Sequence, residues 1–295
     1  MAHLRVALLT MPGGSFVVHH LVKELDVVGI LVDTGRWGGA KKAAQKSTLE
    51  KLEYYYLREG ARGAARAVVR KLLRREHDDD DDAATHEAEY LARLDAQLTA
   101  GHGFLARRTD WKQFPSFAEI GEFYKVPVVE VANINDAEAE AALRAWAPDL
   151  GIICGGRIVK PNMIAVPKLG LLNKHSAILP RHRGLSAEYW CLYYEDFDHL
   201  GLTVHFVEPG LDNGNIVVQK RITFEKGDTP ATLRFKSELI GRDAIVEAVR
   251  LIEETGTRGT PQDEAKATRN PAPSLKTDRE LYKKLPALWQ RYGAG

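Results

Sequence analysis

The chain opens with a strand-helix-strand pattern, and this pattern limits the fold more than any other feature. Residues 4–9 are apolar and rich in β-forming side chains, and residues 11–16 (MPGGSF) form a turn. Residues 17–25 then predict a short helix, and residues 27–32 predict a second strand. Such a unit pairs its two strands in parallel through a right-handed crossover. We therefore expect an α/β fold built on a mostly parallel sheet.

The same alternation returns in the second half of the chain. A late pair of alternating segments predicts two antiparallel strands, and Asp228-Thr229-Pro230 is a good start signal for a long helix. The predicted strands lie at 127–131, 150–154, 171–175, 202–207 and 216–222, and the predicted helices at 136–146, 185–194, 229–254 and 278–291.

A basic stretch separates these two parts. Residues 41–75 hold eleven Lys or Arg and three Glu, so eleven minus three gives a local excess of +8. Five consecutive aspartates follow at 78–82. The apolar spacing in the basic part is helical, and the aspartates are most simply a solvated loop. We predict that residues 40–110 form a helical insertion.

Composition restricts the class of protein. The formal net charge of the whole chain is +1, which gives no general argument for a nucleic acid or membrane partner. The two cysteines, Cys154 and Cys191, have neither zinc-site nor disulfide spacing. We expect no metal, no signal peptide, no membrane helix and a reducing, cytoplasmic setting.

Polar side chains end the strand predicted at 171–175. The sequence there is LLNKHSAILPRHRG. Side chains alternate along a strand, so Asn173 and His175 share one face and Lys174 lies on the other. Open α/β sheets bind ligands at the carboxyl ends of their strands. We therefore expect Asn173 and His175 to point into a cleft.

A loop after the next strand carries a carboxylate, in Asp212-Asn213-Gly214. A carboxylate there can reach His175, raise its pKa and set its tautomer. The amide of Asn173 can donate a hydrogen bond to a developing oxyanion. Together these groups suit attack by an amine on a carbonyl carbon.

These motifs resemble those of the folate-dependent formyltransferases, a family that includes methionyl-tRNA formyltransferase, glycinamide ribonucleotide transformylase and the sugar N-formyltransferases. The resemblance covers residues 125–250 well and residues 3–33 in pattern only. The matching motifs are Asn173-Lys174-His175, Leu179-Pro180, Arg183-Gly184, the strand Thr203-Val204-His205-Phe206-Val207 and Asp212-Asn213-Gly214.

The resemblance implies a Rossmann-like formyltransferase domain at 1–255, followed by a helical extension at 256–295 that is too short for the β-barrel of the tRNA enzyme. The implied cofactor is 10-formyltetrahydrofolate. Asn173 and protonated His175 would stabilise the tetrahedral oxyanion, and Asp212 would keep His175 charged and relay the proton. The implied cofactor-binding residues are Gly156, Arg157, Ile158, Val159, Val207 and Leu211.

The acceptor is expected to be an amine of a small molecule, such as an amino sugar nucleotide or a specialised metabolite. The turn after the first strand carries Gly13, Gly14 and Ser15, whose backbone N–H groups suit an anion on the substrate. A plain tight turn explains the same residues equally well. We interpret His205 as a structural strand residue. His182 lies on the rim of the expected cleft and could have either a functional or a structural role.

Other functions remain open from the sequence. A hydrolase that releases formate from the same cofactor would use the same three residues. An RNA-binding protein would use the basic stretch at 41–75. A homodimer is possible, and transfer at the hydroxymethyl level is also open.

Overall fold

The computed structural model of the protein describes residues 3–35 and 115–294. The predicted insertion at 40–110, with its basic stretch and its aspartate run, lies outside these residues. The described strands form a seven-stranded sheet with the order β3-β2-β1-β4-β5-β6-β7. They are β1 (Arg5–Thr10), β2 (Asp26–Asp33), β3 (Val128–Val131), β4 (Leu150–Ile153), β5 (Leu171–His175), β6 (Gly201–Phe206) and β7 (Ile216–Arg221).

Seven α-helices are described and connect or follow these strands. They are α1 (Ser15–Glu24), α2 (Phe117–Tyr124), α3 (Ala137–Trp146), α4 (Pro161–Ile164), α5 (Ala187–Tyr193), α6 (Pro230–Thr255) and α7 (Leu275–Tyr292). Helix α6 follows the start signal: Thr229 is its cap, Pro230 its first residue, and Gly256 ends it in a left-handed conformation.

Strands β1 to β5 pair in parallel, while β6 and β7 are antiparallel to their neighbours. The strand order reverses between β1 and β4. The crevice beyond the carboxyl ends of these two strands is a topological switch point, which is where open α/β sheets bind ligands.

Helices cover both faces of the sheet. Along β1, Val6 and Leu8 pack on the side of α1 and α6, while Ala7 and Leu9 pack on the side of α3. Both faces of the central strands are therefore buried, which explains their nearly continuous apolar sequence.

The predicted fold class is confirmed, and the late antiparallel pair lies where the alternation placed it. Helix α2 was not predicted, although Ser116 and Glu119 form a capping box at its start. Helix α7 is longer than the predicted 278–291. Its residues Leu281, Leu285 and Leu288 join the apolar cluster around α5, so one face of α7 is buried against the domain.

Among the described residues, no helix has both the length and the apolar character that crossing a membrane requires. Within the same ranges, no group of three or more His, Cys, Asp or Glu side chains is arranged to hold a metal ion. The domain boundary at 255/256 remains a prediction.

Candidate active site

The end of β5 places His175 in a nearly closed environment. Its side chain is 7% exposed, and its Nε2 atom lies 2.9 Å from the carbonyl oxygen of His182. A carbonyl only accepts hydrogen bonds, so Nε2 carries the proton and donates it. The other ring nitrogen, Nδ1, lies 3.5 Å from Oδ2 of Asp212. The predicted pair of His175 and Asp212 therefore comes together.

Asp212 occupies a left-handed backbone position, with φ of 47°. Its Oδ2 atom accepts a hydrogen bond from the backbone N–H of Gly184 at 2.9 Å. Burial by itself raises the pKa of this carboxyl group. The interaction with His205, the nearby ring of His175 and the Gly184 N–H outweigh burial and lower the pKa of Asp212 to about 2. Asp212 is therefore a carboxylate at neutral pH.

His175 differs from the prediction in its protonation. Burial lowers the pKa of His175, and the carboxylate of Asp212 acts in the opposite direction without overcoming it. The sequence predicted the effect of Asp212 but not the depth of the ring, because burial depends on the packing of distant segments. At neutral pH the ring is therefore neutral and carries its proton on Nε2.

The amide of Asn173 completes the group. Its Nδ2 atom lies 3.5 Å from Oδ1 of Asp212 and 3.4 Å from Nε2 of His205. These contacts are long, as is common before a substrate binds. All three predicted catalytic residues thus meet at the carboxyl end of β5.

His205 belongs to this site, although its sequence pattern suggested a purely structural role. It is 2% exposed, and its Nδ1 atom lies 2.8 Å from the carbonyl oxygen of Phe206. Nδ1 therefore carries a proton, and Nε2 faces both the amide of Asn173 and, at 3.6 Å, Oδ1 of Asp212. His205 pairs with Asn173 across β5 and β6. That register could have indicated this contact, but only after the strands had been correctly paired.

A cavity of about 300 Å³ opens beside His175. Its walls come from the ends of β1, β4 and β5 and from α5 and α6, with five charged lining residues: Lys174, Glu188, Arg234, Glu238 and Arg242. Lys174 is largely buried, and its Nζ atom lies 2.5 Å from Oε1 of Glu238. A molecule in this cavity would therefore contact both His175 and these charged side chains.

The predicted substrate residues lie at the margin of this cavity. Met11 and Val17 line it on either side of the turn, whereas Gly13, Gly14 and Ser15 do not. Gly14 precedes α1 as its cap residue, and Ser15 is buried. The tight-turn interpretation accounts for this geometry, and substrate binding by these three residues remains a prediction.

The predicted cofactor residues lie beyond β4 and around the Asp212 loop. Ile158 is 82% exposed and Leu211 is 37% exposed, so both offer apolar surface. Gly156 adopts φ of 146° with open space where a side chain would stand. These features fit a flat, largely apolar ring system.

The other three predicted cofactor residues face the protein. Val159 is buried, and the backbone N–H of Val207 donates to the carbonyl of Leu171 at 2.8 Å. The guanidinium of Arg157 pairs with buried Asp33, at 2.5 Å from Nε to Oδ2. Asp33 also accepts hydrogen bonds from the backbone N–H groups of Gly35 and Ile134. Arg157 therefore helps to hold the segment after β4 against the end of β2, rather than extending into solvent.

Residues 110–249 match the model of a family described as formyl transferase. This segment is a formyl transferase domain. It contains Asn173, His175 and Asp212, so the resemblance drawn from the sequence motifs is confirmed.

Relatives of the formyl transferase domain share moderate identity with it. The chain is 28% identical over 198 residues to a methionyl-tRNA formyltransferase of Pelotomaculum thermopropionicum, covering 64% of this chain and 62% of the relative. It is 32% identical over 188 residues to that of Anaeromyxobacter dehalogenans strain 2CP-1, covering 60% of each. The chain thus spans about three fifths of the length of these curated relatives.

A solved structure supports the fold. The phosphoribosylglycinamide formyltransferase of Anaplasma phagocytophilum aligns with a TM-score of 0.53 and 18% identity, covering 93% of this chain and 98% of that one. The likeness extends over most of the chain, which agrees with the Rossmann-like architecture of the described residues.

Proposed function

We propose that the protein is an N-formyltransferase that moves a formyl group from 10-formyltetrahydrofolate to an amine of a small molecule. The observation that carries this proposal is the meeting of Asn173, His175 and Asp212 at the edge of the sheet, inside a formyl transferase domain. An amide donor can stabilise a developing oxyanion, and a neutral imidazole paired with a carboxylate can accept the proton of an attacking amine.

Gly156, Ile158 and Leu211 are the residues we propose to hold the cofactor, since they combine open space with exposed apolar surface. When bound, 10-formyltetrahydrofolate supplies an electrophilic carbonyl carbon. The Asn173 amide would donate a hydrogen bond to the oxygen on which negative charge develops. The contacts of its Nδ2 atom with Asp212 and His205 are long, at 3.5 and 3.4 Å, so one N–H group can turn to this oxygen when substrate binds.

Proton transfer falls to His175 and Asp212. The attacking amine must lose a proton, and the unprotonated Nδ1 of His175 would accept it. The same ring would return this proton to the cofactor nitrogen, whose bond to the formyl carbon breaks as the new carbon–nitrogen bond to the acceptor is completed. The imidazolium that forms lies 3.5 Å from the carboxylate of Asp212. Asp212 stays ionised because its pKa is about 2. His182 keeps the other ring nitrogen, Nε2, in place by accepting its hydrogen bond.

The cavity beside His175 supports a small acceptor. Its volume of about 300 Å³ suits a compact molecule, at the lower end of the range of about 300–1,000 Å³ that is usual for ligand pockets. Its lining mixes apolar side chains with the Lys174–Glu238 and Arg234–Glu188 ion pairs. A polar amine with further hydrogen-bonding groups fits this lining. An amino sugar nucleotide or an amine of specialised metabolism has this chemistry.

A second acceptor is favoured by the relatives, which are named methionyl-tRNA formyltransferases. Aminoacylated tRNA would place only its aminoacyl end in the cavity. Hydrolysis of the cofactor is a further alternative, because the same residues can activate water.

One assay separates these activities. The protein is incubated with 10-formyltetrahydrofolate and a panel of small amines, with methionyl-tRNA, or with no acceptor, and tetrahydrofolate and formate are measured. The proposal predicts tetrahydrofolate release only with a small amine and its loss in His175→Ala. Release with methionyl-tRNA alone would identify the tRNA activity, formate without any acceptor would identify the hydrolase, and either result would refute the proposal.

A further inference from the structure

The segment that follows helix α6 runs along the back of the candidate active site. We call residues 256–270 the strap. It starts at Gly256 and pairs with the first residue of β7 through two backbone hydrogen bonds between Thr260 and Ile216, both 2.8 Å long. Further on, its Thr268 accepts a hydrogen bond from the backbone N–H of Arg183 at 2.9 Å. The strap is thus fixed on both sides of the Asp212 loop.

Gln262, in the middle of the strap, contacts this loop directly. Its amide nitrogen donates to the carbonyl oxygen of Asp212 at 2.8 Å and to that of Gly214 at 2.7 Å. Its amide oxygen accepts from Nη2 of Arg183 at 2.7 Å and from Nε of the same residue at 3.2 Å. One side-chain amide therefore uses both of its N–H groups and its oxygen.

The chemistry of these partners requires an amide. The two carbonyl oxygens need two N–H donors, and the guanidinium of Arg183 needs an acceptor. Among uncharged side chains, only Gln and Asn supply two N–H donors and an acceptor oxygen from one planar group. Arg183 is fully buried and is also paired with Glu264. Gln262 thus ties the Asp212 loop to a buried cation that the strap also pairs through Glu264.

Gln262 contacts Asp212 on one side and Arg183 on the other, and both partners are linked to the proposed proton-transfer pair. Asp212 sits in a left-handed backbone conformation, which Asp adopts more readily than most residues but which still costs free energy that contacts around it must offset. Arg183 lies between His182, whose carbonyl accepts from His175, and Gly184, whose N–H donates to Asp212. A shift at Gln262 would move both catalytic groups relative to each other.

We propose that Gln262 is a positioning residue for formyl transfer, which sets the distance between Asp212 and His175 by holding the backbone of the Asp212 loop against Arg183. This inference rests on the proposed function. It makes the strap part of the working site, although the sequence assigned residues beyond 255 to a separate extension.

The test uses Gln262→Glu in the full chain. The substitution keeps the size of the side chain and its acceptor for Arg183, but it replaces the donor by an oxygen that faces two carbonyls. Asn215→Asp is the matched control. Asn215 lies outside the strap but donates from its side chain to the strap carbonyl of Arg258 at 2.9 Å, so this control removes an amide donor that holds the strap without changing a contact to Asp212.

The expected result is a kcat about 10- to 100-fold lower in Gln262→Glu, since a displacement of about 1 Å can cost about 100-fold. The KM for the amine and the cofactor should stay near the wild-type values, and the melting temperature should match that of Asn215→Asp. Gln262→Ala, which adds no charge, should lower kcat in the same direction. A kcat equal to that of Asn215→Asp would refute the role, as would a loss explained by unfolding in both Gln262 variants.

Hydrogen–deuterium exchange of the protein alone separates this inference from the proposed function. Exchange in the Asp212 loop should rise in both Gln262 variants and stay unchanged in Asn215→Asp. If the wild-type protein transfers formyl to no acceptor, the proposed function fails, while the exchange data still decide whether Gln262 holds the loop. Unchanged exchange in the Gln262 variants would refute the inference even in an active enzyme.

Discussion

The substitution Asp212→Asn tests the proton-transfer pair most sharply, because it removes one charge and leaves the size of the side chain unchanged. The Nδ1 atom of His175 and Oδ2 of Asp212 are 3.5 Å apart. Two unit charges at this separation attract each other by about 5 kcal/mol at an effective dielectric constant of about 20, and by about 1 kcal/mol in bulk water. This attraction exists only when His175 has taken the proton of the amine.

Loss of that attraction raises the barrier of the proton-transfer step. Since each 1.36 kcal/mol is about a tenfold change in rate, the buried limit gives a fall of about 3,000-fold and the fully hydrated limit about 10-fold. Both side chains are mostly buried, at 7% and 15% exposure. We therefore expect kcat of Asp212→Asn to fall by about 10²- to 10³-fold, which is within the usual range for general acid–base catalysis.

The assay is amine-dependent release of tetrahydrofolate at saturating cofactor and acceptor, with circular dichroism to verify folding. Asp149→Asn is the control, because Asp149 also accepts a backbone N–H bond, from Arg5 at 3.0 Å, and also pairs with a cation, Lys168. It lies outside the site and should leave kcat unchanged. A folded Asp212→Asn protein with kcat within about threefold of wild type, far less than this mechanism supplies, would refute the charge argument.

Two further predictions follow from the buried charges. Activity should fall as the pH is lowered through the pKa of His175, which burial depresses, because protonation removes its Nδ1 acceptor. In Asp212→Asn the pKa of His175 should drop further, because the carboxylate that raises it is gone. An NMR titration of the ring that shows a higher pKa in this variant would contradict the assignment. Lys236 pairs with Asp228 at 2.6 Å and with Glu225 at 2.5 Å, so Lys236→Met should lower the free energy of unfolding by about 3–5 kcal/mol, and an unchanged urea midpoint would contradict that value.

The sequence predicted those features that depend on local spacing. Strand β5 could be placed at 171–175 because two apolar residues precede its polar end, and alternation put Asn173 and His175 on one face. Helix α6 could be bounded from Thr229 and Pro230 because caps act within one turn. The Asp212 loop could be linked to His175 through the motifs shared with the formyltransferases.

Other parts of the site depend on contacts between distant segments. The carbonyl of His182 reaches His175 only because the chain turns back over β5. His205 meets Asn173 only when β6 pairs with β5 in the observed register. Gln262 contacts Asp212 across fifty positions of sequence, and no local periodicity indicates such a bond. Burial lowers the pKa of His175 for the same reason, since the depth of the ring comes from the packing of the whole domain.

The most direct test of the proposed function follows the formyl carbon itself. The protein is supplied with 10-formyltetrahydrofolate labelled with carbon-13 in the formyl group and with an amine acceptor, and the products are identified by mass spectrometry. The account predicts that the label appears as a formamide on the acceptor, in equal amount to the tetrahydrofolate released, and that His175→Ala abolishes both. Label recovered as free formate, with the acceptor unmodified, would contradict the account.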